Sequence, residues 1–436
     1  MEEKTDIFIC DKSRRMLWVP KRRFIRSLQD FLNSVDFLFG YVVCPLYNAA
    51  WIVESFMILV LYSVLMLLDF IAELLSISST MNRVLRGIAI LLILFCIPLL
   101  LYSLGLILFG TLRAVLCILI VMFGFIPVLF RYTYPLQRTV IFLNFVKWPH
   151  IEDLRTPDKY GLSATRNFYI TTDEGVTLGM WHILPASLMN DSINANDSFY
   201  EEALSHGEPV IVYMHGNSGS RGSPHRLELY TLLRNMNYHV VAFDYRSYGD
   251  SSPVSPSEMG VVSDGKYVFS WVQERAKASP LYVWGHSLGT GVSSHALSLL
   301  AQEGKKADGL ILESPFNNLR DELKEHPFSK LYRQLPWFEF FFVDPVGENQ
   351  LLFETDRHLG SIKSPVLILH AEDDMVVPFL LGKRLYNTAI QIRPKDAGRV
   401  EFVPFDKNYK YGHKYIYKSP DLPQIILRFV MQKKLD

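Results

Sequence analysis

Ser287 lies at the centre of Gly285-His286-Ser287-Leu288-Gly289. A serine hydroxyl is a weak nucleophile until a neighbouring base takes its proton; it then attacks acyl carbonyls through a covalent acyl-enzyme. The flanking glycines suit a sharp, strained turn in which larger side chains would collide. An apolar run, 281–284, precedes the turn, and a helix-like run, 290–300, follows it. Strand, turn and helix in that order would lift the hydroxyl clear of a sheet, within reach of a histidine. A serine between glycines is also an ordinary tight turn, so the reading depends on its partners.

The partners come from three other places. His413, in Tyr411-Gly412-His413, follows the last strand-like run and is expected to be the general base. Asp374, in His370-Ala371-Glu372-Asp373-Asp374, fits the orienting carboxylate that holds such a histidine in the right tautomer. Asp373 is the alternative, and the remaining acids are expected to cap the helix that Pro378 opens. His182, His225 and His239 precede the serine and read as surface or packing residues. In His215-Gly216-Asn217-Ser218-Gly219 the backbone can approach a substrate oxygen closely. The N–H groups of Asn217 and Leu288 are therefore expected to form the oxyanion hole. No Gly-Lys-Ser/Thr follows, which disfavours a phosphate loop. The chemistry calls for no metal and no cofactor.

These residues need a scaffold that gathers chain ends. From about 166 onward, strand-like and helix-like runs alternate. A hairpin (167–172, 176–184) is followed by strands at 209–214, 239–245, 281–284, 309–313, 365–370 and 400–404. Helices are expected at 225–236, 257–276, from 379 and from 422. Such alternation gives an α/β fold, a mostly parallel sheet with helices on both faces and its active site at the carboxyl ends of the strands. The order Ser, Asp, His is that of the α/β-hydrolase fold. An insertion at about 317–355 carries His326-Pro327-Phe328, Tyr332 and Leu335-Pro336-Trp337-Phe338-Glu339-Phe340-Phe341-Phe342. Aromatics this dense either pack on the sheet or roof an acyl-chain site and dip into a membrane surface.

The rest of the 436 residues reads differently. The chain has formal net charge zero, so nothing in its charge argues for a nucleic-acid partner, and it is 49% hydrophobic. Its cysteines, Cys10, Cys44, Cys96 and Cys117, all precede residue 150 and have no metal-ligand spacing. The runs 87–112 and 114–130 are uncharged and separated by Arg113 alone, which predicts two membrane spans joined near 110–113. The second half of 37–72 predicts a third. Residues 1–36 form a basic tail holding Lys12, Arg14, Arg15, Lys21, Arg22, Arg23 and Arg26, which favours the cytoplasmic side. A cleaved signal peptide does not fit, since the first apolar run begins behind this charged segment. The expected division is a tail (1–36), transmembrane helices (37–131), a linker (132–165) and a catalytic domain (166–436) beyond the membrane. Asn190-Asp191-Ser192 and Asn196-Asp197-Ser198 are glycosylation sites if that side is luminal. The ending Lys433-Lys434-Leu435-Asp436 resembles a dilysine retrieval tail, which is read in the cytosol and points the other way.

Together the motifs resemble the α/β-hydrolase-domain lysophosphatidylserine lipases, which also act as monoacylglycerol lipases. The similarity runs from about residue 135 to the end. It covers His215-Gly216-Asn217-Ser218-Gly219-Ser220-Arg221-Gly222, Phe243-Asp244-Tyr245-Arg246, Trp284-Gly285-His286-Ser287-Leu288-Gly289-Thr290-Gly291, Leu312-Glu313-Ser314-Pro315-Phe316, His370-Ala371-Glu372-Asp373-Asp374 and His413-Lys414-Tyr415-Ile416-Tyr417. The resemblance implies that Ser287, Asp374 and His413 are the triad and that the substrate is a lipid with one acyl chain. It also implies an anchor in the endoplasmic reticulum, with the catalytic domain in the lumen. Before about 110 the chain departs, with extra hydrophobic segments in place of a single anchor. Arg221 and Lys414 are the basic residues that could meet an anionic head group. A protein S-acyl thioesterase would use the same triad on cytosolic substrates, and a non-catalytic membrane scaffold would keep the fold alone.

Overall fold

The computed structural model describes residues 7–10, 16–19, 83–146, 153–193 and 195–432, and the chain divides into two units, Met1–Leu67 and Leu68–Asp436. In the first unit, β1 (Ile7–Cys10) and β2 (Met16–Val19) form an antiparallel hairpin with Ile7 opposite Val19. The basic tail's residues 21–26, the expected span within 37–72 and the terminal 433–436 lie outside the described residues.

In the second unit, five short apolar runs form the middle of a sheet: β5 (Val210–Met214), β6 (His239–Phe243), β7 (Leu281–His286), β8 (Gly309–Glu313) and β9 (Val366–Ala371). Every residue in them is buried, as expected for parallel strands covered on both faces. β3 (Thr165–Thr171) and β4 (Thr177–Ile183) form the expected hairpin at one edge, and β10 (Val400–Phe405) closes the other. The order is β10-β9-β8-β7-β5-β6-β4-β3; β3/β4 and β4/β6 pair antiparallel, the rest parallel. Alternate residues serve opposite faces. Val210, Val212 and Met214 pack with Val283 and Leu312, whereas Ile211 and Tyr213 pack with Trp284 and Leu367. The register sets His286 beside Glu313, and Glu313 beside Leu369. The carboxyl ends of β7, β8 and β9 therefore lie side by side.

Before the sheet come α1 (Arg83–Ser103), α2 (Phe109–Tyr132) and α3 (Tyr134–Phe142). The turn expected near 110–113 falls instead at 104–108. Gly105 takes φ +68 there and donates to the Tyr102 carbonyl, while Leu106 donates to Leu101, a left-handed glycine stop. Gly110 and Arg113 continue the helix, since one charge does not end an otherwise apolar one. Among the described residues, α2 alone is long and apolar enough to cross a membrane; the apolar part of α1, Gly87–Ser103, is 17 residues.

The later helices are α4 (Asp197–Ala203), α5 (Pro224–Asn235), α6 (Glu258–Ala276), α7 (Leu288–Gln302), α8 (Leu319–Glu325), α9 (Asp344–Glu348), α10 (Phe379–Ile392) and α11 (Leu422–Gln432). α8 and α9 belong to the insertion after β8. Its aromatics stack on one another and on α2: Phe342 lies 5.3 Å from Phe130, and Tyr332 lies 5.9 Å from Phe123. The Tyr332 hydroxyl donates to the Met122 carbonyl at 3.0 Å, where residues 121–125 form a π-helical turn. Arg131 donates to the Phe340 carbonyl and pairs with Glu348 at 2.9 Å. The insertion thus fastens the hydrolase domain to the apolar helices.

Candidate active site

Ser287 sits between β7 and α7 with φ +53 and ψ −120, a strained conformation for any residue with a side chain. The flanking glycines are required by contact. A Cβ at Gly289 would collide with the Met214 carbonyl, and one at Gly285 with the Gly289 carbonyl. The Ser287 N–H donates to the Glu313 carbonyl at 3.0 Å, which ties the turn to β8.

His413 and Asp374 are 39 residues apart in sequence and in contact: His413 Nδ1 lies 2.8 Å from Asp374 Oδ2. Asp374 Oδ1 accepts the N–H groups of Val376 (2.8 Å) and Val377 (2.9 Å). Burial works to raise this carboxyl, but the charge of His413 and the hydrogen bonds from His370 and His413 outweigh it. They hold it well below the usual carboxylate range. The third link is open. Among the described residues the Ser287 hydroxyl makes no hydrogen bond, although Ser287 and its neighbours wall a cavity into which a substrate would bring it. Such contacts often tighten only once a substrate is bound.

Asp373 does not cap a helix, contrary to expectation. Its Oδ1 accepts the Gly412 N–H at 3.0 Å and holds the histidine loop, while α10 starts after Pro378 with no side-chain cap. His182 and His239 pair at 2.9 Å in the core, and His225 packs against His286. All three belong to the packing, none to the surface. Arg221 is buried and ion-paired to Asp244 (2.5 Å) and Asp250 (2.7 Å), so it is unavailable to a head group.

Asn217, Ser287 and Leu288 line one cavity of about 370 Å³ with Phe130, Ile141, Phe316 and Phe342. The N–H groups of Asn217 and Leu288 donate to nothing among the described residues. The Tyr248 hydroxyl donates to the Phe142 carbonyl and lies 3.2 Å from the Asn217 carbonyl. A second cavity, about 480 Å³, lies around Glu258, His295 and His358 and holds none of these residues.

The family model of the alpha/beta hydrolase fold matches residues 209–351. The lysophosphatidylserine lipase ABHD12 of Danio rerio is 46% identical over 319 residues, covering 73% of this chain and 83% of the relative. That of Rattus norvegicus is 45% identical over 321 residues, covering 73% and 79%. The chain belongs to the ABHD12 family. The Pyrococcus furiosus esterase Pf2001 superposes with TM-score 0.47 at 22% identity, covering 66% of this chain and 97% of the esterase.

Two buried acids of this ABHD12-family chain escaped the sequence reading. Glu313 accepts the Trp284 indole N–H at 2.9 Å, and burial, with the charge of Asp374 adding to it, pushes its carboxyl up to about 7. Glu322 lines the cavity from α8. The only signal for Glu313 is an acid at the end of an apolar run; Glu322 has none, because its neighbours arrive from distant segments. Asn190 and Asn196 are both exposed, and the Asn196 side chain also caps α4 by accepting the Phe199 N–H at 3.1 Å.

Proposed function

We propose that this lipid ester hydrolase cleaves the acyl ester of lysophospholipids, lysophosphatidylserine among them, and of monoacylglycerols. One observation carries the reading: a strained serine opens onto an apolar cavity, and its neighbour His286 holds the loop of a histidine already paired with a buried aspartate. The relatives named lysophosphatidylserine lipase support the substrate class.

The Ser287 hydroxyl attacks the ester carbonyl while His413 Nε2 takes its proton. Asp374 keeps the other ring proton on Nδ1 and stabilises the imidazolium that forms. The N–H groups of Asn217 and Leu288 receive the oxyanion; loss of one such donor typically costs about 10²–10³ in rate. The intermediate collapses, and the glycerol-bearing alcohol leaves with the proton from His413. Water, deprotonated by the same imidazole, then releases the fatty acid from Ser287.

A membrane anchor suits this substrate. Each buried CH₂ contributes about 0.8 kcal/mol, so a long-chain lipid spends its time in the bilayer. α2 is apolar enough to lie there, and its last turn supplies Phe130 to the cavity wall. We read the domain as luminal, in the endoplasmic reticulum, and the exposure of both glycosylation sequences supports that reading.

Ser287→Ala should abolish both fluorophosphonate labelling and hydrolysis of lysophosphatidylserine and monoacylglycerol in membranes. Labelling that persists would place the nucleophile elsewhere. Glycosidase treatment should shift the protein's mobility, and the shift should vanish when Asn190 and Asn196 are both replaced by Gln. An unshifted wild type would put the domain in the cytosol, where protein thioesters are the available substrates.

A further inference from the structure

The cavity beside Ser287 is apolar except for a few atoms, and most of those are already paired. The Ser329 hydroxyl donates to the His326 carbonyl, that of Tyr332 to Met122, and the Asn217 amide to Ile141. Apart from the Ser287 hydroxyl itself, two lining side chains one helical turn apart remain among the described residues, Glu322 and His326. Glu322 is only 7% exposed, and its Oε2 is buried without a partner. Its carboxyl makes no hydrogen bond or ion pair among the described residues. A buried group left unpaired is costly, and in a native fold it calls for a reason.

Burial, and then the negative charges of Asp374 and Glu325, push the Glu322 carboxyl well above its ordinary value. It therefore stands protonated, with an O–H to give and a C=O to receive. His326 Nδ1 accepts the Phe328 N–H at 3.2 Å, and burial, with His413 adding to it, keeps the ring neutral. Its proton is thus on Nε2, a second free donor.

We infer that Glu322 and His326 form an uncharged polar subsite for the free glycerol hydroxyl of the substrate. A hydroxyl both gives and receives a hydrogen bond, and a neutral carboxyl matches it on both counts. A phosphate or carboxylate at this depth would add a negative charge near Asp374, and among the described residues that line the cavity there is no lysine or arginine to offset it. A free hydroxyl beside the ester is common to monoacylglycerols and lysophospholipids, so one subsite serves both. The assignment rests on the proposed lipase activity.

The test compares kcat/KM for 1-monooleoylglycerol with that for methyl oleate, which has the same acyl chain and no glycerol. In the wild type the ratio should favour the glycerol ester. Glu322→Leu should lower the ratio about tenfold, the effect of one or two lost hydrogen bonds. Glu322→Gln, which keeps a donor and an acceptor in the same volume, should restore most of it. An unchanged ratio in Glu322→Leu, or equal losses in Gln and Leu, overturns the subsite. A wild type that hydrolyses neither ester, and does no better than Ser287→Ala, overturns the lipase reading instead.

Discussion

The ring of His286 donates from Nε2 to the backbone carbonyl of His413 at 2.9 Å, so the residue before Ser287, the proposed nucleophile, holds the loop that carries the proposed base. The two rings lie 4.9 Å apart, and burial keeps His286 neutral, its pKa well below the ordinary value. His286→Ala should lower kcat about tenfold with KM little changed, because the lost bond positions the base and does not bind substrate. Steady-state kinetics decide this; a loss confined to KM would contradict it.

Asp373 and Asp374 do different work although they adjoin. Asp374→Asn should lower kcat by about 10⁴, since an amide at Oδ2 favours the wrong imidazole tautomer. Asp373→Ala removes one anchor of the Gly412 peptide and should cost about tenfold in kcat. Equal losses in the two variants would show that the roles have been divided wrongly.

Glu313 gives the fold a pH dependence. Its carboxyl holds its proton up to about 7 in the folded protein, against 4.5 when exposed. Between those values the native state binds more protons than the unfolded state. Stability therefore falls as pH rises through this window, by about 1.4 kcal/mol per pH unit from this group. Below about 4.5 and above about 7 its contribution is flat. Glu313→Gln stays neutral and still accepts from Trp284, so its melting temperature relative to wild type should climb from about pH 5 to about pH 7 and level off above it. A constant difference across that range would mean that Glu313 is ionised in the fold.

Tyr332 and Phe130 join the insertion to α2. Tyr332→Phe should cost about 1 kcal/mol, leaving the Met122 carbonyl without its donor. Phe130→Ala should cost about 3 kcal/mol and open one wall of the cavity, shifting preference toward longer acyl chains. Chain-length profiles of the purified variants provide the measurement, and an unaltered profile for Phe130→Ala would remove α2 from the binding site.

The contact between His413 and Asp374 was legible in the chain because each motif directly follows a strand, and parallel strands bring their carboxyl ends together. The hairpin, the central strands and the elbow were legible for the same reason: period and glycine placement are local. What could not be read locally was partnership. Arg221 looked free for an anionic ligand because its partners, Asp244 and Asp250, lie 23 and 29 residues further on. Asp373 looked like a cap because its true partner, Gly412, comes from across the fold. The turn lies at 104–108 and not at 110–113 because Gly105, at φ +68, ends one helix, whereas the lone charge of Arg113 sits inside the next.

Because Phe130 belongs to both α2 and the cavity wall, the boundary between the proposed anchor and the enzyme runs through the proposed binding site itself. A fragment trimmed to begin after Tyr132 would keep its serine, histidine and aspartate yet present a breached container. Water would enter from the side that the helix normally seals. Such a fragment should still react with small acyl probes while losing its grip on long-chain lipids, a dissociation that no change to the triad could produce.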